Sequence, residues 1–294
     1  MNHNIIKKPT NKIEKLWVAN STLFIEGLAY IQGCNSPEFS YLNKYLCLLN
    51  IHTNDIFEYE LGSIRKHELK NQTYQGNIFD YTAAGTATKG FKGIPISELD
   101  NGIYEILISV TAAGFGNRMY QDLHLDFDSL DKHSADNYFE YRLYQHNAKT
   151  YLVKSDIIGR DVPADSHIAL TADWVKGTVF HVEGEFIIPG ADITEFNQAK
   201  YYLIAQKPLT QRQYVFELGQ IKKTNLGEKI GNPFGGYDAC YFATLSLKGI
   251  DSSHFELGSY DLYVSLAYKS EIFTAKLSKR LEVMQGGVRS LINS

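Results

Sequence analysis

Residues 174–190 read WVKGTVFHVEGEFIIPG, and residues 17–33 read WVANSTLFIEGLAYIQG. The two stretches align without a gap at an offset of 157 positions. The alignment continues through Glu38-Phe39 against Glu195-Phe196, Tyr45-Leu46 against Tyr202-Leu203, and Glu60-Leu61-Gly62 against Glu217-Leu218-Gly219. After the loss of one residue the offset is 156, and Tyr81, Lys92-Gly93-Ile94, Gly102 and Tyr104 meet Tyr237, Lys248-Gly249-Ile250, Gly258 and Tyr260. A repeat of roughly 110 residues has the size of a domain, not of a solenoid unit. The chain is therefore expected to hold two like domains.

Within each copy the period is two. Leu23, Ile25, Gly27, Ala29 and Ile31 alternate with Phe24, Glu26, Leu28 and Tyr30. Phe180, Val182, Gly184, Phe186 and Ile188 do the same in the second copy. One apolar face opposite a mixed face marks a half-buried strand. The runs LDNGIYEILISV (99–110) and FELGSYDLYVSL (255–266) place Tyr104 and Tyr260 on an apolar face just after a turn. This resembles the tyrosine corner of immunoglobulin-like sandwiches, in which the hydroxyl bonds back to nearby backbone. The fold class expected is all-β: two tandem immunoglobulin-like antiparallel β-sandwich domains related by the internal repeat. The boundaries are 1–128 for the first, 129–170 for a linking segment with a β-hairpin around the turn HNAK, and 171–294 for the second. The terminal GGVRSLINS is expected to fray.

Composition limits the function. A net charge of −4 over 294 residues lacks the basic footprint of a general nucleic-acid binder. Cys34, Cys47 and Cys240 are an odd, sparse set, read as small core residues in a reducing compartment. No apolar run is long enough for a spanning helix, and the N-terminal residues show no secretory h-region. A cytoplasmic location is expected, with membrane or cell-surface association only through a partner.

No phosphate loop, nucleophile elbow, HExxH or CxxC is present in the sequence. The duplicated Glu26/Glu183 and Glu60/Glu217 would give two weak sites, not one acid–base pair. No catalytic residue and no cofactor is assigned. His124, Asp126 and Asp128 would share one face of a strand and form the one candidate metal cluster, with a solvated strand end as the favoured reading. Two features suggest binding. Tyr30, Tyr141, Tyr144, Tyr151 and Tyr263 are candidate aromatic platforms for sugar rings or a protein partner. The basic pairs Arg65-Lys66 and Lys222-Lys223 recur after Leu-Gly in each copy.

The repeated pattern of Trp-Val, Phe-Ile-Glu-Gly, Glu-Leu-Gly and Lys-Gly-Ile resembles accessory β-sandwich modules of bacterial teichoic-acid and capsular-polysaccharide transferases. The resemblance spans both copies and implies a non-catalytic module that holds a glycopolymer, or a glycosyltransferase partner, and that can form homo-oligomers. It carries over no catalytic residue, and no transferase domain accompanies the two copies here. A structural or interaction protein without a sugar ligand, and an enzyme with an unfamiliar site between the domains, are the alternatives.

Overall fold

The computed structural model describes residues 5–285 and 289–293. Among these the chain is strand and loop, with helix limited to short 3-10 turns. No helix among the described residues is long and apolar enough to cross a membrane. The chain divides into two compact units: residues up to Ser134 with Glu140–Lys154, and Ala135–Phe139 with the residues from Ser155 onward.

The first unit contains β1 (Lys8–Ala19), β2 (Thr22–Gln32), β3 (Leu42–Asn50), β4 (Ile56–Ile64), the small hairpin β5 (Gln72–Tyr74) and β6 (Asn77–Phe79), β7 (Gly85–Thr88), β8 (Ile94–Pro95), β9 (Gly102–Ala112), β10 (Phe115–Asp122), β11 (Asp131–Ala135), β12 (Phe139–His146) and β13 (Lys149–Asp156). The second contains β14 (Arg160–Asp161), β15 (His167–Lys176), β16 (Val179–Ile187), β17 (Ala199–Gln206), β18 (Gln213–Ile221), β19 (Tyr241–Thr244), β20 (Ile250–Asp251), β21 (Gly258–Tyr268), β22 (Glu271–Val283) and β23 (Arg289–Asn293).

Both units follow one path. The first runs β1-β2-β7-β4-β3-β9 with β10 beside β9, and the second runs β15-β16-β19-β18-β17-β21-β22. The turn of the path lies in β4, which pairs with β3 up to Glu60 and with β7 from Leu61. β18 makes the same switch at Leu218. The repeated Glu-Leu-Gly thus marks the corner where one strand serves both faces of the sandwich. A β-bulge falls at Glu14 in β1 and at its counterpart Thr171 in β15.

The repeated apolar positions and the recurring Tyr and Gly residues are structural. Leu23, Ile25, Ala29 and Ile31, and their counterparts Phe180, Val182, Phe186 and Ile188, are buried. Each large aliphatic or aromatic side chain removed from water stabilises by roughly 1.5–3 kcal/mol. Tyr104 and Tyr260 are fully buried and donate to the carbonyls of Asp100 at 2.8 Å and Glu256 at 2.9 Å. Tyr81 and Tyr237 accept from the backbone N–H of Gly33 at 2.9 Å and Gly190 at 3.2 Å. Both glycines hold φ +82°, which a side chain would strain. Trp17 stacks on Phe24 and Trp174 on His181 at equivalent places.

The fold differs from the sequence reading in three places. The hairpin β12–β13 turns through Asn147 and Ala148, both with positive φ. It does not stand apart in a linking segment, because β13 pairs with the first half of β9. Of the tail expected to fray, Arg289–Asn293 pairs with β22, while residues 286–288 and 294 lie outside the described residues. Arg289 is buried there and donates to Ser252 Oγ at 2.9 Å and Ser252 O at 2.6 Å. Residues 124–128 are not a strand. Their one ladder contact is the isolated parallel bridge from Leu125 to Ile13.

Candidate functional site

The sequence-expected site residues are scattered by the fold. Tyr141 is fully buried and is no platform. Tyr30 is half-buried against Tyr81, and burial raises its pKa. Tyr263 is half-buried beside an apolar cluster of Ile157, Tyr202, Ile204, Ala267 and Ile272. Tyr144 and Tyr151 are brought together, their rings stacked at 5.2 Å. Arg65 pairs with Glu38 at 2.6 Å and lies over Phe39, and Lys222 repeats this with Glu195 at 2.7 Å over Phe196. Lys66 faces Glu14 at 3.6 Å, and Lys223 sits 3.3 Å from the centre of the Tyr241 ring. The repeated cations are thus already held by acids and rings of their own unit. Asp126 pairs with Lys12 at 2.8 Å, and among the described residues no cluster of three metal-ligating side chains forms, the set His124, Asp126 and Asp128 included.

The richest constellation lies on the outer face of the first unit. Register defines it, because the inward residues of β9 are Tyr104, Ile106, Ile108 and Val110, so the outward ones are Glu105, Leu107 and Ser109. Tyr45 and Tyr120 flank Ser109 on the neighbouring strands. Cys47 lies beside Leu107, with Glu58 beyond it, and Tyr151 lies beside Glu105. A register shift in β10 between Phe115 and Met119 brings Arg118 over this grid.

Arg118 is the centre of the cluster. Its Nε and Nη2 donate to Ser109 Oγ at 2.9 and 2.8 Å, and Nη1 donates to Glu58 Oε2 at 2.9 Å. Its guanidinium carbon lies 4.6 Å from the centre of the Tyr45 ring and 5.1 Å from that of Tyr120. Tyr120 also donates to Glu58 Oε1 at 3.3 Å, yet is 47% exposed. Burial opposes the charge on Arg118, but the hydrogen bond and charge of Glu58 raise its pKa. Burial also pushes the Cys47 thiol up, so no nucleophile is provided beneath. Farther along the face Lys149 bonds Glu105 at 2.7 Å, and Arg142 binds Asp131 through two nitrogens while lying 5.0 Å from the centre of the Tyr144 ring. The result is a row of tyrosine rings fixed by cations and carboxylates. The array combines ring faces with charged hydrogen-bonding groups on one sheet face.

The second unit treats the equivalent face in the opposite way. Where the first copy has Cys47, Glu58 and Leu107, the second has Ile204, Val215 and Tyr263. Ile157 and Ile158 pack onto this surface, and Asn137 accepts through its carbonyl from Gln213 and through its side chain from the Val215 N–H. The Ser109 counterpart, Ser265, donates to the Ile157 carbonyl at 2.7 Å. Tyr45, Glu58, Arg118 and Tyr120 were not singled out from the sequence. The signal available was the set of positions where the two copies differ in polarity.

No protein-family model matches the chain. No curated protein matches it. Among solved structures, a fragment of S. aureus TarS is similar at 11% identity and a TM-score of 0.35, covering 91% of this chain and 62% of that one. A longer S. aureus TarS structure gives 11% identity and 0.36, covering 92% and 40%. Chicken CNTN1 FN1–FN3 domains give 9% identity and 0.22, covering 97% and 68%. The chain thus spans about three fifths and two fifths of the two TarS chains it matches.

Proposed function

We infer that this protein is a non-catalytic binding module whose ligand is a bacterial surface glycopolymer, held on the outer face of the first unit. One observation carries the reading: the same sheet face is aromatic, charged and accessible in the first unit but capped by apolar residues in the second. Sugar and polyol chains present apolar C–H faces and polar rims. Tyr120, Tyr144 and Tyr151 supply ring faces for the former. Glu58, Arg118, Glu105 and Lys149 supply hydrogen bonds for the latter. The rings are held by their cation neighbours, so little side-chain freedom is lost on binding. The sequence resemblance to glycopolymer-handling modules agrees with this chemistry.

The asymmetry of the units argues for one ligand face per chain, not two equal ones. Affinity electrophoresis through gels containing wall teichoic acid, or a neutral capsular polysaccharide, tests the reading. The chain should be retarded, and Tyr120→Ala with Tyr151→Ala should restore most of its mobility. A chain that migrates alike in every gel, yet co-purifies stoichiometrically with another protein, would transfer the face to a protein partner.

A further inference from the structure

Where the strand path of each unit comes back on itself, the two units close differently. In the first, Asn11 of β1 donates to Gln121 Oε1 at 3.2 Å and to Asp122 O at 2.9 Å, and accepts from the His124 N–H at 2.7 Å. The chain leaving β10 then runs beside β1. Ile13 N–H donates to His124 O at 2.7 Å, and Asp126 N–H donates to Ile13 O at 2.8 Å, the pattern of a parallel strand. Leu123 is buried beneath.

The repeat gives the counterparts directly. Asn11, Lys12 and Ile13 correspond to Ile168, Ala169 and Leu170. Gln121 and Asp122 correspond to Ala275 and Lys276, since Ile108 and Val264 hold equivalent places in β9 and β21. The two side chains that close the first seam, Asn11 and Gln121, are replaced by Ile168 and Ala275, and the polar link between β15 and β22 is instead the Lys279–Asp173 ion pair at 3.5 Å. In addition β22 does not turn away; after a register break between Lys276 and Arg280 it continues along β21 to Val283. A cleft of about 450 Å³ lies here, lined by Asp161, Val162, residues 168–170 and residues 274–278, Lys276 among them. By the register of Ile13, Leu170 turns its N–H and C=O toward this cleft. Among the described residues no backbone hydrogen bond reaches it from across the gap.

We propose that this cleft accepts an extended segment of a partner protein, added as a parallel strand against β15 at Leu170. The segment carries aliphatic side chains at alternate positions, as Leu123 and Leu125 do in the first unit. The first unit shows the occupied form of the same seam, filled in cis. Main-chain bonds supply affinity and alternate side chains supply selectivity, as in other strand additions. The cavity is within the range of ordinary ligand sites. A second copy cannot lend its own 123–126 segment, which is bonded to its β1.

The probe is an acetylated peptide of residues 121–127 (QDLHLDF), titrated into the full chain by fluorescence anisotropy. A matched peptide is N-methylated at the position of Asp126. Saturable binding of the first peptide is expected, weakened about tenfold or more by the methyl group, which removes one main-chain donor. Amide exchange should slow at Leu170. No saturation at about 1 mM, or equal binding of both peptides, would overturn strand addition. So would protection confined to β1, where the peptide would be displacing the native segment. Self-association of the chain that the peptide disrupts would assign the cleft to a second copy, against the proposal.

Discussion

Ser109 and Ser265 hold equivalent places in β9 and β21, are both fully buried, and take opposite hydrogen-bonding roles. Ser109 Oγ accepts two hydrogen bonds from Arg118, and Ser265 Oγ donates to the Ile157 carbonyl. One small hydroxyl thus anchors a charged, solvent-facing group in the first unit and a covering chain segment in the second. Ser265→Ala should leave the Ile157 carbonyl short of a donor and cost about 1–3 kcal/mol in denaturant melts. Ser109→Ala should cost less, because Glu58 and water still satisfy the guanidinium. Equal losses from both would remove the distinction.

The two tyrosine corners make a stability prediction. Tyr104→Phe and Tyr260→Phe each delete one hydrogen bond and should cost about 0.5–1.5 kcal/mol. Tyr104→Ala and Tyr260→Ala open cavities and should cost about 3–5 kcal/mol. Urea unfolding of the four variants checks the order. Indistinguishable Phe and Ala variants would contradict the burial found here.

Lys44 gives a pH prediction. It is buried in the first unit, donating to Ala83 O at 3.0 Å and Gly85 O at 2.6 Å, where the second copy has the neutral Tyr201. Burial lowers its pKa to about 7 from an ordinary 10.5. Between those values the unfolded chain binds a proton that the folded chain lacks, so stability rises with pH across that window. Below it both states carry the proton and the cost is constant. In Lys44→Met the rise should be gone. A rise that persists unchanged in melts from pH 6.5 to about 10.5 would assign it to another group.

Arg65 and Lys222 are exposed and already paired, so replacing both with alanine should change stability by less than about 1 kcal/mol. Polymer binding should keep its salt dependence. A marked fall in that dependence would return the ligand to these repeated cations.

Much of the fold was legible because the chain states it twice. Ile31, Gly27, Tyr81 and Tyr104 recur as Ile188, Gly184, Tyr237 and Tyr260 for packing or hydrogen-bonding reasons that local pattern reveals. The site was less legible for the same reason: emphasis on recurring residues led to Arg65 and Lys222, whereas Arg118 and Glu58 belong to one copy only. Arg118 reaches the face through a register shift in β10, and Lys149 reaches Glu105 from a hairpin 44 positions away. Neither relation has a local signature. Tyr141 was misread because β12 alternates about a core that the isolated hairpin pattern does not orient. Of the expected platforms, Tyr144 and Tyr151 lie together on the face now proposed as the site.

The most direct test of the central claim is calorimetric titration of the full chain with wall teichoic acid and with capsular polysaccharide. The wild type is compared with Arg118→Ala/Tyr120→Ala and with Tyr263→Ala on the equivalent face of the second unit. The account predicts about one binding event per chain with at least one polymer, weakened roughly tenfold or more in the first variant and unchanged in the second. Equal binding by all three proteins, or loss of binding only on replacing Tyr263, would contradict it.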